Sequence, residues 1–402
     1  MRLPPADWTK RQGLSALIAA LDDKVRYVGG AVRDTLLDLE VKDVDIATPL
    51  LPDDVIERLK AASIKVIPTG IAHGTVTAIL PDGPVEITTL RRDVSTDGRR
   101  ATVAFSEDWK EDAARRDFTI NALSADPHSR EVYDYFGGRD DLEGPHIRFI
   151  GSAAERIAED HLRIMRYFRF LARFGRQQVD DEAFDACTTA AEKLETLSRE
   201  RVADELLKLL QTEDPRFSVN QMLDAGIFDH IIKEIDGDAG AQISKLVERE
   251  QRLAVAPAAI RRLVAMLPKD AHKADVIAKD LKLSKKQQKA IGQRLSSGFT
   301  VAADSQATSR SIAYRTSVDA ARDTALLFAG ESALPDMLSQ LKDWQPPTFP
   351  LTGGDLIKRG LKPGPVVAKT LATIETAWIA QGFPDETWIK KFVDEQEFPL
   401  QS

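Results

Sequence analysis

Cysteine is nearly absent from this chain: Cys187 stands alone among 402 residues. A single thiol excludes a disulfide framework and any zinc site built on several thiolates, and it points to a reducing compartment. Long hydrophobic runs are also missing, and no stretch approaches the length that spans a bilayer, so no membrane partner is expected. The opening residues Met1-Arg2-Leu3-Pro4-Pro5 lack the apolar stretch of a secretory leader, and the expected location is cytoplasmic. Positive charge is in deficit, with 55 Lys and Arg against 63 Asp and Glu and a net charge of −8. Taken as a sum, that balance argues against a nucleic-acid partner, which usually leaves a basic footprint. The local distribution argues the other way. Arginines recur at 156, 163, 166, 169, 173 and 176, and a second basic group comprises Lys279, Lys282, Lys285, Lys286, Lys289 and Arg294. An acidic protein can hold RNA along one such stripe, with strong dependence on salt.

What is present is the composition of a globular protein, 43% apolar and 29% charged. The length is too great for one core and predicts two to four units. To about residue 150, strand-like and helical signals alternate. Lys24 to Val28 and Val44 to Ala47 are short β-type runs, and Thr75 to Leu80 and Val85 to Leu90 flank Pro81-Asp82-Gly83-Pro84, a hairpin signal. Beyond residue 150 strand signals nearly vanish. Leu162, Met165, Phe168, Leu171 and Ala172 fall on one helical face. Pro346-Pro347 marks a break before a last helical segment, and Val301 to Ser311 reads as a loop. There is no internal repeat. The fold class is α+β: a head with a small sheet, then an all-helical remainder.

The strongest chemical signal is Tyr27-Val28-Gly29-Gly30-Ala31-Val32-Arg33-Asp34, followed by Asp43-Val44-Asp45-Ile46. A strand runs into two glycines and a helix starts near Ala31. Without Cβ atoms, Gly29 and Gly30 let backbone N–H groups approach a phosphate at a helix start. Arg33, one turn on, is placed to contact the same triphosphate. On a strand, Asp43 and Asp45 project to one face, and two carboxylates beside a phosphate cradle make an oxygen-rich site for Mg²⁺. Gly-Gly alone is a simple turn and Asp-X-Asp alone a solvated loop; their order and spacing together favour function.

These residues resemble the polymerase-β-like nucleotidyltransferase superfamily, in the bacterial-type (class II) branch of tRNA CCA-adding enzymes and poly(A) polymerases. The resemblance implies that Asp43 and Asp45 hold two Mg²⁺ ions, which activate an RNA 3′-hydroxyl and stabilise departing pyrophosphate. A third carboxylate commonly joins them from a neighbouring strand, and Glu86 in Val85-Glu86-Ile87 is the candidate. Arg115-Arg116-Asp117-Phe118-Thr119-Ile120-Asn121-Ala122-Leu123 is similar to the family's ribose-recognition segment. Arg115 and Arg116 are not ranked by the sequence, and on its own Asp117 reads as a helix cap. Gly137-Gly138, within Asp134 to Leu142, resembles the family's hinge between head and neck.

Glu159 to Arg169 reads as one helix with Asp160 and Arg163 three apart on one face. A carboxylate accepts from the amino group of cytosine or adenine, and a guanidinium donates to ring nitrogen or carbonyl. The spacing resembles the family's amino-acid template for CTP and ATP. By position Asp160 and Arg163 are the base readers, with Arg166 and Arg169 in support; an ordinary surface ion pair is the commoner reading of such spacing alone. The resemblance divides the chain into a polymerase-β-like nucleotidyltransferase head with a small mixed sheet (1–150), a helical neck (151–215), a body (216–345) and a tRNA-binding tail (346–402).

The implied reaction is template-independent addition of CCA to the 3′ end of tRNA from CTP and ATP. Poly(A) polymerases of this branch carry an arginine-rich segment where this chain has His73-Gly74-Thr75-Val76. Enzymes that add only the cytidines have a shortened loop where Leu90 to Arg100 is full length. A-only addition remains open, as does the oligomeric state. No histidine is followed by Asp, so no appended phosphohydrolase is expected. Leu197 to Leu210 reads as a neck helix with Leu197, Leu206 and Leu209 in the core. The basic run Lys279 to Arg294 and the helix start at Gly360-Leu361-Lys362-Pro363-Gly364-Pro365 are candidate RNA contacts.

Overall fold

A computed structural model describes residues 1–97, 100–296 and 306–395. The chain divides into two compact units, Met1–Lys233 and Glu234–Ser402. The segments expected as separate head and neck therefore belong to one unit, which continues past 215. Among the described residues no helix is long and apolar enough to cross a membrane.

In the first unit a sheet is built from β1 (Arg26–Val28), β2 (Val44–Thr48), β3 (Lys65–Gly70), β4 (Thr75–Leu80), β5 (Gly83–Thr89), β8 (Ser124–Ala125) and β9 (Val132–Tyr133). Its spatial order is β3-β4-β5-β2-β1-β8-β9. Only β2 and β5 run parallel, so the sheet is mixed as expected. The turn Pro81-Asp82 closes the β4–β5 hairpin with Leu80 opposite Gly83. Strand alternation gives the sheet two unlike faces. Tyr27 and Ile46 are opposite one another, and Tyr27 packs edge-on against Trp8, the ring centroids 4.7 Å apart. Buried Leu14, Leu17, Val55 and Leu59 come from helices α1 (Leu14–Ala20) and α3 (Pro52–Ala61). The opposite face carries Arg26, Asp45, Ala47 and Glu86.

Two segments of the head form strands that the sequence reading did not assign. Lys65–Gly70 forms edge strand β3 although Pro68 interrupts its β pattern, which is tolerated because an edge strand leaves one side unpaired. The stretch read as a flexible loop is a two-stranded antiparallel ribbon of β6 (Arg91–Asp97) and β7 (Arg100–Phe105), with an irregularity between Asp93 and Ser95. Its tip residues Gly98 and Arg99 lie outside the described residues.

Helix α2 (Gly30–Leu36) follows β1, and α4 (Trp109–Ala114) leads into the 115–123 segment. The Asp134 carboxylate then accepts from the backbone N–H groups of Phe136, Gly138 and Arg139, which sets the start of α5 (Gly138–Glu143). Gly138 packs directly on the preceding motif: a Cβ there would lie 2.2 Å from the Thr119 carbonyl oxygen. Helices α6 (Ala153–Glu159), α7 (Leu162–Phe174), α8 (Asp181–Thr189), α9 (Arg199–Leu210) and α10 (Arg216–Asp224) complete the unit. Of the predicted apolar face of α7, Leu162, Met165, Phe168 and Leu171 are buried and Ala172 is half-buried, and Ile164 is buried beside them. Tyr167, Phe118 and Phe149 stack beside them in an aromatic core. Leu206 and Leu209 of α9 are fully buried, whereas Leu197 is only half-buried and Leu194 takes the core position.

Among its described residues the second unit has helices joined by irregular segments and no strand. Lys279 to Arg294 is two helices, Ala271–Asp280 and Lys285–Leu295, the second started by a Ser284–Gln287 capping box. Arg294 leaves the expected basic face and turns inward to Asp323, whose carboxylate also meets Arg261; Arg261 and Arg262 share Glu250. Residues from Gln306 onward, expected as loop, form helix Gln306–Arg315, and 301–305 lie outside the described residues. The start at Gly364-Pro365 opens a helix to Ala380 as predicted.

The contact at Gly138 allows no side chain. Gly138→Ala is expected to lower unfolding stability by about 3 kcal/mol, because the Gly138 segment is held by the Asp134 cap and the Thr119 segment by Asp141 and the Arg148 carbonyl. Urea denaturation read by circular dichroism checks this, and an unchanged midpoint would show that the two segments separate easily.

Candidate active site

Asp45 lies at the second position of β2, opposite Glu86 on β5, and Asp43 lies one residue ahead of the strand. Asp43 and Glu86 are exposed and Asp45 is half-buried. The Asp45 carboxyl is raised to about 6, first by burial and then by the Glu86 charge; Asp43 adds to the rise and Arg116 opposes it. Negative charge from Glu86 and Asp43 thus bears on Asp45, and Arg116 offsets part of it. Among the described residues no three acidic, His or Cys groups close into a metal cage. The site is a row of like charges on and just ahead of two paired strands, and its all-oxygen donors suit a hard divalent cation that would relieve their repulsion.

The glycine turn sits beside this row. Gly29 adopts a φ of +63°, and a Cβ there would lie 3.1 Å from Nη1 of Arg116. The turn therefore needs glycine both for its backbone and for the approach of a guanidinium. Gly30 begins α2. Arg33 corrects the sequence reading. Its side chain is buried, donating to the Asp34 carboxylate at 2.8 Å and to the Asn121 side-chain oxygen, with its guanidinium 4.7 Å from the centre of the Phe174 ring. The expected reach to a triphosphate is replaced by an internal role, because on a seven-residue helix this position faces the packed interior.

The structure separates the two arginines that the sequence left unranked. Both pair with buried Asp112, Arg115 at 2.8 Å and Arg116 at 3.2 Å. Only Arg116 is also the neighbour of Gly29 and of the Asp45 charge. Arg115 instead offers its carbonyl to Arg163 at 3.3 Å. Asp117 is buried and accepts from the Phe118 N–H, from Asn121 Nδ2 at 2.9 Å, and from Nε of Arg166 at 2.7 Å. Burial pushes its carboxyl up, but Arg166, Asn121 and the Phe118 amide together hold it below the usual range. It is not a helix cap.

Asp160 and Arg163 do not share a helix face. Asp160 is extended, with φ −151° and ψ 106°, in the turn between α6 and α7. One of its carboxylate oxygens accepts from the Leu162 N–H at 3.1 Å and the other from Arg201 at 2.7 Å. An aspartate two residues before a helix start satisfies a free N–H there, and this local bond outcompetes continuation of the helix. Arg163 donates to Glu159 and, at 2.7 Å, to the Arg156 carbonyl. The pair still lies at one place, the start of α7, with its polar atoms held by neighbours.

Farther along α7, Arg169 meets Glu205 of α9 at 2.8 Å and Arg173 meets Asp34 at 3.0 Å. The sequence reading missed Asp112, Asn121, Glu159, Arg201 and Glu205. Asp112 was legible as a carboxylate three and four residues before Arg115 and Arg116 on a helix, whereas Arg201 and Glu205 gave no local signal.

A mixed sheet bearing this carboxylate row and glycine turn is the head of a nucleotidyltransferase. Residues 25–148 match the family model of the poly(A) polymerase head domain, and residues 178–238 match that of the probable RNA- and SrmB-binding site of polymerase A. Mouse mitochondrial CCA tRNA nucleotidyltransferase 1 is 33% identical over 397 residues, covering 94% of this chain and 89% of that protein. The CCA-adding enzyme of Limosilactobacillus fermentum is 32% identical over 391 residues, with 94% of each chain covered. The crystal structure of the Bacillus stearothermophilus CCA-adding enzyme in complex with CTP superposes with a TM-score of 0.74 at 25% identity, covering 94% of this chain and 96% of that one. The chain belongs to the CCA tRNA nucleotidyltransferase family.

The raised Asp45 carboxyl has a thermodynamic consequence independent of activity. Its folded pKa exceeds the unfolded one, so between about pH 4 and 6 the folded chain keeps a proton that the unfolded chain has lost, and this group's contribution to stability falls as pH rises through that window. With chelator present, Asp45→Asn is expected to stabilise the chain by about 1–3 kcal/mol near pH 7.5 and by only a few tenths near pH 4. A divalent cation should raise the melting temperature of the unaltered chain at about pH 7.5 and do so less for the variant. Equal melting of the two proteins at both pH values would remove the like-charge description.

Proposed function

We propose that this protein is a cytoplasmic enzyme that adds CCA to the 3′ end of tRNA from CTP and ATP without a nucleic-acid template, releasing pyrophosphate, with Mg²⁺ as its cation. The observation that carries the reading is the Asp43, Asp45 and Glu86 row beside the Gly29-Gly30 turn, on a chain that aligns along 94% of its length with a CCA tRNA nucleotidyltransferase. The full-length β6–β7 ribbon and the His73-Gly74-Thr75-Val76 segment favour complete addition over cytidine-only or poly(A) synthesis.

Asp43 and Asp45 are the cation's holders and Glu86 supports them. When bound there, the cation supplies positive charge that acidifies an RNA 3′-hydroxyl and neutralises departing pyrophosphate. The Gly30 N–H at the start of α2 and the Arg116 guanidinium bind the triphosphate, the Gly29 N–H being held by the Leu123 carbonyl at 3.1 Å, and Arg33 keeps that turn in place from beneath. The RNA 3′-oxygen bonds to the α-phosphorus as the bond to pyrophosphate breaks, so the residues need only align the two substrates and stabilise charge. Asp117, held with Arg166 and Asn121, orients the segment that meets the ribose, with Arg115 and Arg169 bracing its surroundings. Asp160 and Arg163 read the base edge at the start of α7, where an incoming base exchanges with Arg201 and Glu159 as their hydrogen-bond partners. In the second unit, Lys279, Lys285 and Lys289 and the helix start at Gly364-Pro365 contact the tRNA backbone.

The test is a primer assay with purified protein, Mg²⁺ and tRNA transcripts ending before CCA or after CC, given CTP and ATP singly and together. Growth by C, C and A that then stops is expected. One A added only to the CC-ended transcript would make this an A-adding enzyme, and a long A ladder a poly(A) polymerase. Asp43→Ala and Asp45→Ala are each expected to lower turnover by at least about a thousandfold while tRNA binding by gel shift persists; retained turnover would remove the cation assignment.

A further inference from the structure

Arg26 differs from the other arginines around the active face. Arg33, Arg115, Arg116, Arg163, Arg166, Arg169 and Arg173 all meet carboxylates. Arg26 meets none among the described residues. Aromatic groups hold it instead: its guanidinium carbon lies 4.2 Å from the ring centre of Trp109 and 3.6 Å from that of Tyr133, and Nη1 donates to the Tyr135 hydroxyl at 3.1 Å. Its Nε and Nη2 find no protein acceptor among the described residues, and neither is sealed from solvent.

Its position relates it to the chemistry. Arg26 is directly opposite Ala47 of β2, two residues beyond Asp45, and alternate residues of a strand share a face. Trp109 packs on Val28, Ala47 and Leu90, which fixes the aromatic clamp on that same face. The Cα atoms of Arg26 and Asp45 are thus separated by about one strand spacing and two strand rises, roughly 8 Å. Two rings lie against the guanidinium, and its Nε and Nη2 stay open to water. A cation with no counterion, fixed in direction by aromatic contacts and with N–H donors toward water, suits a phosphate oxygen.

We infer that Arg26 is a contact for a phosphodiester of the RNA strand whose 3′ end is extended at Asp45. The inference rests on the proposed transfer to RNA. The clamp holds a long flexible side chain in one arrangement before RNA arrives, which lowers the entropy lost on binding. Because the contact is to the backbone, it positions the strand whatever its sequence and reads no base.

The experiment compares the full-length protein with Arg26→Met and Arg26→Lys. Binding of a labelled tRNA transcript ending before CCA is titrated over a range of KCl, and the KM for CTP is measured in parallel. Arg26→Met should weaken tRNA binding about tenfold at low salt, equally for transcripts that differ in their last nucleotide. It should also make the slope of log affinity against log salt shallower by about 0.7, with the KM for CTP unchanged. Arg26→Lys, which keeps the charge and loses the planar fork, should retain the slope and lose several-fold in affinity; it carries the test if the Met variant melts. Unchanged affinity and slope in both variants would overturn the inference, as would a loss that depends on the last base. Failure of the unaltered protein to bind or extend tRNA would instead overturn the function proposed above.

Discussion

The ion pair between Asp117 and Arg166 is the joint on which the first unit depends. One carboxylate oxygen of Asp117 takes the Arg166 fork while the other receives Asn121, and Asn121 in turn receives Arg33. Through Asp34, Arg33 is linked to Arg173, two turns farther along the helix that carries Arg166. The head is therefore fastened to α7 at two levels by one connected set of charges. A buried pair is weak evidence for stability, since taking both ions from water offsets most of their attraction. Here the guanidiniums also lie against Phe170 and Phe174, which returns part of the lost hydration as cation–π attraction. What the network contributes above all is geometry: each group has few alternative partners, so α7 has one way to sit on the head.

The catalytic face follows the opposite logic. Asp43, Asp45 and Glu86 are arranged as neighbours, and Arg116 opposes the charge that bears on Asp45. The sheet enforces this arrangement, because register places Asp45 beside Glu86 whatever their charges prefer. Such repulsion is useful where a cation must be held, since the unfavourable charge is relieved when the cation binds. A site of this kind needs rigid surroundings, and the compensated arginines along α7 provide them.

Legibility in the sequence tracked how local the determining force was. The hairpin was readable because Pro81-Asp82-Gly83 specifies a turn between two β-branched runs, and α7 because its apolar period is carried by its own residues. Of the paired aspartates, Asp45 was readable as a strand residue, whereas Asp43, expected on the same strand, lies one residue ahead of it. The β6–β7 ribbon was not, since its mixture of Arg, Asp, Ser and Gly has weak β propensity and its pairing is made across the hairpin rather than along the chain. Asp160 was misread for a different reason: helical spacing was applied to a residue whose carboxylate bonds the next helix's N–H, a short-range competition that spacing ignores. Arg294 read as surface because its partner Asp323 lies far along the chain.

Arg33 shows how a charged residue beside a glycine turn can serve through internal contacts. Its guanidinium reaches Asn121, inside the segment that follows Arg115 and Arg116, while its own helix begins at the glycine turn. The turn and the 115–123 segment are consequently registered against each other through a single buried side chain. The same segment is fastened to α7 by Asp117, and α7 begins just after Asp160. Triphosphate, ribose and base would thus meet three elements that one hydrogen-bonded set holds in fixed relation. Shifting any of them requires breaking a buried charge contact, so the positioning on which uncomplicated phosphoryl chemistry depends is secured by residues that need not contact the substrate at all.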